Sequence, residues 1–408
     1  MRRVTYPSLH FLLSSTIGYL RVLTLLALHA LSTHLPRIQV EHPLKISWID
    51  PDEITAVTGR EGAVDRRWVD ASKTVGGDWD RHVVQISADK WYDALRSRYE
   101  EQSSWTEIDE VQTTIRRTKD GDVKWHGCRS PQDVRERCEQ LDRIYKTIRN
   151  EGYKSQAELG WGADPDEISL PSFTNFKTYY DEIAVDVARD GTLLFVDGRH
   201  RFALAKFGRV ERIPVRIVVR HERWKAFRDE LRALIPGRSR HRFLHPDLQE
   251  VPHEHDSDRW FDAIEEAIHP EVDTVLEING GMSGYFCYRF AKNGLSGHSM
   301  YVDGRLYSFH REHTDTVPLS HTPHWLPQFS PSSIEGTVAM VITDPSEIET
   351  NVGLWKQLDE LDVKSIFFNA NERSGEPETH VVMDEISRSN TQQLLAVDGD
   401  DWLYQVTF

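Results

Sequence analysis

The sequence predicts an α/β protein built from two domains. A chain of 408 residues is longer than one hydrophobic core usually serves, and its 39% apolar content supplies enough material for packed cores. Short apolar runs bounded by Gly, Pro and Asp are typical of strands, and they alternate with segments whose apolar residues recur three and four positions apart, typical of helices. Two of these runs end in glycine-containing turns before helical segments, where ligands commonly bind.

The charge balance limits the choice of partners. The 65 acidic residues outnumber the 49 basic ones and give a formal net charge of −16, which argues against a surface that wraps nucleic acid. An acidic excess is also typical of proteins adapted to high salt, and both interpretations stay open. Cys128, Cys138 and Cys287 form neither a disulfide framework nor a paired metal motif, so we expect a reducing, cytoplasmic compartment.

Residues 1–38 are predicted to form an apolar N-terminal helix. The segment is rich in leucine from Leu9 to Leu35, but Arg21 near its middle argues against a membrane-spanning helix. Basic residues precede it as in a signal peptide, yet no convincing cleavage site follows. Two interpretations remain open: a helix at residues 9–35 that lies on a membrane surface, and a helix docked in an apolar groove.

Residues 39–236 are predicted to form the first domain. It contains a long loop over residues 59–85 and amphipathic helices over residues 89–100 and 132–150. Further along the chain, two apolar runs joined by a glycine-containing turn predict a β-hairpin over residues 183–196. A helix and another strand complete the domain, over Arg201–Phe207 and Ile213–Val219.

Residues 237–256 are predicted to be a linker, because Pro, Gly and Arg replace periodic sequence there. The second domain then covers residues 257–408. It begins with a helix over residues 257–268, the strand Thr274–Ile278, a glycine-rich turn and a helix from about Tyr285. Further apolar runs alternate with helical stretches, which predicts a doubly wound α/β sheet.

The turn after the hairpin is a candidate phosphate-binding site. A strand ends and a helix begins there, so backbone amides and the positive end of the helix dipole point outward together. Gly198 permits an anion to approach the backbone, and the basic side chains beside it can donate charged hydrogen bonds to phosphate oxygens. The sequence therefore predicts a nucleotide phosphate site formed by Asp197, Gly198, Arg199, His200 and Arg201.

This turn resembles the signature of the ParB/sulfiredoxin-like superfamily. The resemblance is carried by Val196-Asp197-Gly198-Arg199-His200-Arg201-Phe202-Ala203-Leu204-Ala205 and by Ile213-Pro214-Val215-Arg216-Ile217. It covers residues 180–222 closely and about 40–235 more loosely. The resemblance implies an α+β domain that binds the phosphates of ATP, ADP or CTP, accompanied by Mg²⁺.

Departures from the superfamily argue against two of its activities. Sulfiredoxin has a catalytic cysteine where this chain has Arg199, so reduction of sulfinic acids is not expected. Partitioning ParB proteins continue into a DNA-reading helix-turn-helix, whereas residues 257–408 have an α/β pattern. Basic residues outnumber acidic ones from Arg199 to Arg242, which favours the rim of a phosphate pocket over a nucleic-acid groove. A DNA-associated ParB-like protein remains an alternative.

The same turn is similar to that of free-serine kinases, which have Asp-Gly-His-His-Arg there and use a carboxylate as base. By that resemblance Glu182, with His200, is a candidate catalytic residue for phosphoryl transfer. The alternative is that Asp181 and Glu182 begin a strand or pair with Arg201, because adjacent acids more often form structural ion pairs.

The glycine-rich turn of the second domain resembles the first motif of Rossmann-like S-adenosylmethionine methyltransferases. The segment is Val275-Leu276-Glu277-Ile278-Asn279-Gly280-Gly281-Met282-Ser283-Gly284-Tyr285-Phe286. The resemblance implies that Glu277, Gly281 and Gly284 lie beside the cofactor and that Asp303 holds its ribose hydroxyls. The turn is one residue longer than usual, and Asn279 replaces the first glycine, which weakens the expectation of methyl transfer.

Histidines cluster at His310, His313, His321 and His324, with His253 and His255 earlier in the chain. No pair has the spacing of a helical zinc motif, and three prolines interrupt the region. We therefore expect exposed loop histidines and no metal site.

The leading hypothesis is a cytoplasmic nucleotide-binding protein, with both the membrane-surface and the docked interpretation of its N-terminal helix open. Its ParB/sulfiredoxin-like domain would act as a phosphotransferase on a small or lipid-linked substrate, fused to a divergent methyltransferase-like domain. The alternatives are an S-adenosylmethionine-dependent methyltransferase and a non-catalytic, nucleotide-gated scaffold. Whether the chain is an enzyme is left open at this point.

Overall fold

The computed structural model describes residues 9–32, 43, 45–120, 128–161, 182–234, 245–248, 256–278, 285–301, 304–316, 321–342, 360–371, 391–398 and 401–407. The chain divides into two compact units, Met1–Ala226 and Phe227–Phe408. Among the described residues each unit contains a seven-stranded sheet accompanied by helices, so the predicted α/β fold class is confirmed.

Two helices of the first unit follow amphipathic segments and begin at recognisable capping residues. Asp89 starts the third one, since its carboxylate accepts the backbone N–H groups of Trp91 and Tyr92. Ser130 caps the fifth one, followed by proline at the first helical position. The helices are α1 (Leu9–Ser32), α2 (Ala63–Arg66), α3 (Lys90–Tyr99), α4 (Asp109–Lys119), α5 (Pro131–Glu151), α6 (Gln156–Trp161) and α7 (Arg199–Phe207).

The sheet of the first unit has the strand order β1-β7-β5-β6-β2-β4, with β3 beside β7. Strands β5 and β6 form the predicted antiparallel hairpin, β7 runs parallel to β5, and every residue of β5 and β7 is buried. Burial on both faces explains why these two strands are apolar along most of their length. The strands are β1 (Ser47–Ile49), β2 (Ala56–Val57), β3 (Lys73–Val75), β4 (Val84–Gln85), β5 (Ile183–Val187), β6 (Leu193–Asp197) and β7 (Ile213–His221).

Of two sequence-based expectations for the first unit, one about a helix is close to the structure and one about a loop is wrong. The helix predicted over residues 132–150 is α5, which is one residue longer at each end. Residues 59–85 were expected to be a long loop, and that expectation is wrong, because α2, β3 and β4 lie within them. These elements are too short to show a periodic pattern.

Helix α1 packs against the segment that follows α2. Val22 is fully buried against Trp68 and Ala71, and a Cβ added to Gly18 would come within 2.7 Å of the Trp68 side chain. Arg21 donates from Nε to the carbonyl oxygen of Ala71 at 2.9 Å. These contacts agree with the docked-helix interpretation. No helix among the described residues is long and apolar enough to cross a membrane.

The second unit contains a sheet in the order β10-β9-β8-β11-β12-β14-β13. The five strands from β10 to β12 are parallel, and β14 is antiparallel to both of its neighbours. The strands are β8 (Thr274–Ile278), β9 (Ser296–Tyr301), β10 (Thr322–Trp325), β11 (Thr337–Ile342), β12 (Asp362–Asn371), β13 (Thr391–Asp398) and β14 (Asp401–Thr407).

Helices alternate with the parallel strands of this sheet, as in a doubly wound Rossmann-like fold. Apolar residues of β8 and β11 project to both faces and form two core clusters, one containing Leu276 and Met340 and the other containing Val275 and Val341. The helices are α9 (Asp256–Ala267), α10 (Tyr285–Lys292) and α11 (Gly304–Glu312); α8 (Glu222–Leu234) crosses the division between the units.

The division between the units falls at Ala226–Phe227, before the predicted end of the first domain at residue 236. Within the predicted linker 237–256 the described residues 245–248 are buried. Asp247 pairs there with Nη1 of Arg228 at 3.0 Å, and both side chains are almost fully buried. This part of the segment is therefore packed, while the domain bounds themselves stay a prediction.

Candidate functional site

The carboxyl end of β8 lies at the point where the strand order of the second sheet reverses. The chain proceeds from β8 to β9 and β10 on one side and then returns to β11 on the other side of β8. In open α/β sheets, ligands bind in the crevice outside the carboxyl ends of strands at this switch point. The residues that end β8 and β9 are therefore the first candidates for a binding site.

Glu277 is the penultimate residue of β8 and is fully buried. Its Oε2 accepts the backbone N–H groups of Phe286 and Cys287, both at 3.2 Å, so the carboxylate caps the start of α10. Burial raises the pKa of Glu277 to about 7, and the two amide hydrogen bonds oppose this shift. Among the described residues its second oxygen, Oε1, has no hydrogen-bond partner.

Cys287 fixes the first turn of α10 on the sheet. Its thiol donates to the carbonyl oxygen of His298 at 3.0 Å, and the Ser299 hydroxyl donates to its sulfur at 3.4 Å. A Cβ added to Gly297 would lie 3.1 Å from Cys287, so the helix approaches β9 closely. Burial raises the pKa of the Cys287 thiol well above its usual value, which keeps it protonated. The helix start that Glu277 caps is therefore held in place.

A buried tyrosine lies at the end of β9 between two histidines. The Tyr301 hydroxyl is 3.0 Å from Nδ1 of His310, on α11, and 3.0 Å from Nε2 of His321, just before β10. Burial, with the nearby Glu277 carboxyl as a smaller cause, raises the pKa of Tyr301 well above its usual value. Burial likewise lowers the pKa of His321 to about 4. Tyr301 and His321 are therefore both uncharged at neutral pH, and the Tyr301 hydroxyl joins the two imidazole rings.

A second histidine pair joins β9 to β10. Nδ1 of His298 lies 2.8 Å from Nε2 of His324, with the two rings stacked. Burial lowers the pKa of both, in His324 to about 4. The expectation of exposed loop histidines is therefore wrong for His310 and His321, which are buried, and for His324, which lies in β10 and is partly buried. His313 is partly exposed after the end of α11, and His253 and His255 lie outside the described residues. Among the described residues no group of three or more His, Cys, Asp and Glu side chains could hold a metal ion.

Of the four residues expected at the cofactor, the structure describes one. Glu277 is at the carboxyl end of β8, as the resemblance implies. Gly281, Gly284 and Asp303 lie outside the described residues. The described chain nevertheless ends β8 at Ile278 and resumes at α10, so the glycine-rich segment joins the end of β8 to the start of a helix.

The predicted phosphate site of the first unit begins at Gly198. This residue has φ +96° and precedes α7 without any side-chain capping bond to the helix. A Cβ at this position would meet the backbone of Ile183 at 3.1 Å, so both conformation and space require glycine. As predicted, a strand therefore passes directly into a helix here.

The side chains of this turn are already paired with protein groups. Arg199 lies 3.1 Å from Asp89 and remains 41% exposed, while Asp197 pairs with Arg67 at 2.9 Å. The ring of His200 lies 5.8 Å from that of Trp91. An anion at this turn would therefore compete with the Asp89 carboxylate for Arg199.

Glu182, the candidate base, is buried at the start of β5. Its Oε1 accepts the backbone N–H of Gln156, and its Oε2 lies 3.8 Å from Nη1 of Arg201. This geometry agrees with the alternative that Glu182 pairs with Arg201. Phosphoryl transfer by Glu182 and His200 stays a prediction.

Sequence reasoning missed the partners that complete these sites. Arg67 and Asp89 are far along the chain from residues 197–201, and no local pattern connects them. Tyr301 was overlooked because the histidines near it were considered for metal binding. The alternation of polar residues in β9, with Ser299 and Tyr301 on the face of Glu277, was the available signal.

Comparison with known proteins adds little to this geometry. No protein-family model and no curated protein matches the chain. Among solved structures it is similar to an rRNA methylase from Escherichia coli (13% identity, TM-score 0.28, 37% of this chain and 63% of that one). It is also similar to a ribosomal protein L11 methylase from Lactobacillus delbrueckii subsp. bulgaricus (15%, 0.28, 38% and 79%) and to the human methyltransferase 10 domain containing protein (13%, 0.31, 45% and 96%).

The chain spans less than two thirds of the Escherichia coli enzyme. At TM-scores near 0.3 these likenesses carry no argument about activity or substrate. The Rossmann-like assignment of the second unit rests on its own strand order. The ParB/sulfiredoxin-like assignment of the first unit stays a prediction.

Proposed function

We propose that the second unit binds S-adenosylmethionine at the carboxyl ends of β8 and β9 and that the chain is an S-adenosylmethionine-dependent methyltransferase. The observation that carries the proposal is the corner formed by β8, Glu277 and α10 at the switch point of the sheet. A buried carboxylate that caps the following helix, and whose second oxygen has no hydrogen-bond partner in the described part of the chain, is suited to a cationic ligand.

The order of the strands supports the same proposal. The sheet resembles that of the Rossmann-like methyltransferases, in which an antiparallel seventh strand lies between the fifth and the sixth. Here β14 occupies that place, between β12 and β13 and antiparallel to both. Fold alone does not imply activity, so the proposal depends on the Glu277 corner as well.

Different residues of this chain would contact different parts of the cofactor. Glu277 would face the ammonium group of the methionine part, Gly281 and Gly284 would let the backbone approach the nucleoside, and Asp303 would accept hydrogen bonds from the ribose hydroxyls. When bound, S-adenosylmethionine supplies an activated methyl group on a sulfonium. The ionised carboxylate of Glu277 would pair with the ammonium group, and the neutral thiol of Cys287 offers no competing nucleophile.

Isothermal titration of the full chain with S-adenosylmethionine and S-adenosylhomocysteine tests the proposal. We expect binding by the wild type and at least about tenfold weaker binding by Glu277→Gln, which keeps a capping oxygen but removes the charge. The matched control is Glu271→Gln, since the Glu271 side chain is 71% exposed in the same unit. Absence of binding by the wild type, or equal affinity in both variants, contradicts the proposal.

A second candidate function belongs to the first unit, where the turn at Gly198 would bind a nucleotide phosphate. It is favoured by the absence of a side-chain cap on α7 together with the partly exposed guanidinium of Arg199. ATP, ADP or CTP would be the ligand, with Mg²⁺ where the phosphates bind it. Such binding would serve either a phosphotransferase acting on a small or lipid-linked substrate or a nucleotide-gated scaffold.

Titration with ATP, ADP and CTP tests this second candidate. We expect Arg199→Ala and His200→Ala each to weaken nucleotide binding about tenfold or more, since each removes a charged or polar donor. Arg135→Ala, which removes an exposed arginine of α5, is the control. Unchanged affinity in the two test variants contradicts the phosphate site, and binding without turnover favours the scaffold.

A further inference from the structure

In the described part of the chain, the exposed large apolar side chains concentrate on α1. Six such side chains are exposed there, and three of them belong to this helix: Ile17 (52%), Leu20 (57%) and Leu31 (49%). A fourth, Val64 (45%), is on α2, which packs beside α1. Single exposed apolar residues are ordinary, but a group of them on one surface indicates a binding site.

The exposed residues of α1 share one side of the helix. Gly18 and Val22 are buried on the other side, where Val22 packs against Trp68 and Ala71. The Thr24 hydroxyl lies on the exposed side and donates to the carbonyl oxygen of Leu20 at 2.9 Å, so it does not need a partner from outside. No charged residue occurs among the exposed positions, which follow one another at helical spacing: 17, 20, 24, 27 and 31. This face is therefore apolar over about 20 Å of helix.

The charge of this part of the chain is opposite to that of the rest. Residues 1–40 contain Arg2, Arg3, Arg21 and Arg37 but no Lys, Asp or Glu, which gives a formal charge of +4. Because the whole chain has −16, residues 41–408 have −20. Residues 60–73, which include the segment that α1 packs on, contain four basic and three acidic residues and leave the local charge positive. Like charges therefore oppose a second copy at this face, and an anionic partner is favoured.

An anionic lipid bilayer combines the two properties that this surface requires. It places acidic head groups directly beside acyl chains, so basic residues and an apolar helix face can be bound together. Arg2 and Arg3 precede α1 in the sequence and Arg37 follows it, so basic residues flank the apolar face. A nucleic acid fits less well, because Arg21 is the only Arg or Lys within α1 and its Nε already donates to the carbonyl oxygen of Ala71 at 2.9 Å.

We propose that α1 binds the surface of an anionic lipid bilayer. Ile17, Leu20 and Leu31 enter the boundary between head groups and acyl chains, the helix lies in the plane of the membrane, and its opposite face stays packed on Trp68. The flanking arginines are attracted to the acidic head groups. The docked and the membrane-surface interpretations of the N-terminal helix then describe its two faces. This inference is independent of the proposed cofactor and of the nucleotide site.

Vesicle flotation of the full chain tests the proposal. We expect the wild type to bind vesicles of phosphatidylcholine and phosphatidylserine at least about tenfold more tightly than vesicles of phosphatidylcholine alone, because only the former attract the arginines. Binding should weaken as NaCl is raised from about 0.1 M to about 1 M, since the screening length falls from about 10 Å to about 3 Å.

Two pairs of substitutions separate the apolar from the electrostatic contribution. Ile17→Gln combined with Leu20→Gln should weaken binding to the anionic vesicles about tenfold or more, because apolar area no longer enters the bilayer. Leu159→Gln is the matched control, since Leu159 is 64% exposed in the same unit but lies on α6. Arg2→Gln combined with Arg3→Gln should weaken binding several-fold, with Arg135→Gln, an exposed position of α5, as its control. Circular dichroism and thermal unfolding establish that all variants are folded.

Three results would overturn the proposal. The first is a wild type that does not float with the anionic vesicles. The second is equal binding by the wild type and by the variant with glutamine at positions 17 and 20, which would show that the apolar face takes no part. The third is a dimer in sedimentation equilibrium that this variant dissociates while no vesicle is bound, which would identify a second copy as the occupant.

Discussion

At the scale of single residues, the ionisation of Glu277 is the property with the most direct consequence. A carboxyl group whose pKa is raised to about 7 is partly protonated at neutral pH. A cationic ligand binds the ionised form more tightly, so ligand binding and loss of the proton are linked. The affinity of the proposed site is therefore expected to depend on pH in the physiological range.

We predict that S-adenosylmethionine binds more weakly as the pH falls below about 7, by up to tenfold per pH unit, because protonation removes the charge of Glu277. Calorimetric titrations between about pH 6 and pH 8 measure the slope. The same titrations on Glu277→Gln should show a nearly flat profile. An equal slope in wild type and variant would assign the effect to another group.

The buried histidines predict how stability changes in acid. The pKa of His321 is about 4 in the folded chain, below the ordinary value of 6.5. Its contribution to the free energy of unfolding is therefore fully present above pH 6.5 and is lost as the pH falls toward 4. The loss amounts to at most about 1.4 kcal/mol per pH unit for each such histidine. Urea unfolding at neutral and acidic pH measures it.

His321→Gln should lose less stability than the wild type between those two conditions, because glutamine keeps a polar group near Tyr301 but does not titrate. His269→Gln, at an exposed position of the same unit, should behave as the wild type. A variant at position 321 that loses stability as steeply as the wild type would show that this ring is not responsible.

At the scale of elements, the turn from β6 to α7 depends on a single glycine. Ala at position 198 would have to adopt φ +96° and would also meet Ile183, so we predict that Gly198→Ala destabilises the folded chain by roughly 1–3 kcal/mol. Gly77→Ala is the matched control, because Gly77 has φ +91° but nothing within 4 Å. Urea unfolding measures the free energy of unfolding that each variant loses. The larger loss in Gly198→Ala than in Gly77→Ala gives the effect of the contact with Ile183.

Elements with strong local signals were predictable from the sequence. The hairpin of β5 and β6 follows from two apolar runs around a turn, and α5 follows from a long repeat of apolar residues with Ser and Pro at its start. Strand β3 was not predictable in this way. Its three residues pair with β7 far along the chain, and only the folded sheet brings them together.

The candidate sites show the same division at the residue level. Glu277 was identified because a glycine-rich turn follows it directly. The grouping of Tyr301, His310 and His321 was missed, because a strand, a helix and the segment before another strand contribute one residue each. Contacts of this kind are set by tertiary packing and leave no periodic trace in the sequence.

At the scale of the whole molecule, the net charge of −16 opposes compaction through self-repulsion. We predict that raising the ionic strength from about 0.01 M to 0.15 M stabilises the folded chain, since the screening length falls from about 30 Å to about 8 Å. Thermal unfolding at constant pH in NaCl measures the change. A midpoint that falls with added salt would show that attractive ion pairs outweigh the repulsion.

The same charge predicts weak affinity for nucleic acid in general. Binding of random duplex DNA at physiological salt should be negligible, because the phosphates repel a chain with a net charge of −16. A gel-shift experiment with the full chain measures this. Tight, salt-sensitive binding would instead indicate that the basic residues between Arg199 and Arg242 form a nucleic-acid surface.

The reactivity of the buried Cys287 thiol reports how often the structure around it opens. Because the sulfur is shut in between β8, β9 and the first turn of α10, an alkylating reagent reaches it only when that corner opens. The rate of its modification, followed by mass spectrometry, therefore measures the rate at which this corner opens. The proposed ligand is expected to bind at the same corner. A molecule that binds in the corner would lower the rate of Cys287 alkylation, so binding can be detected without labelling the protein beforehand.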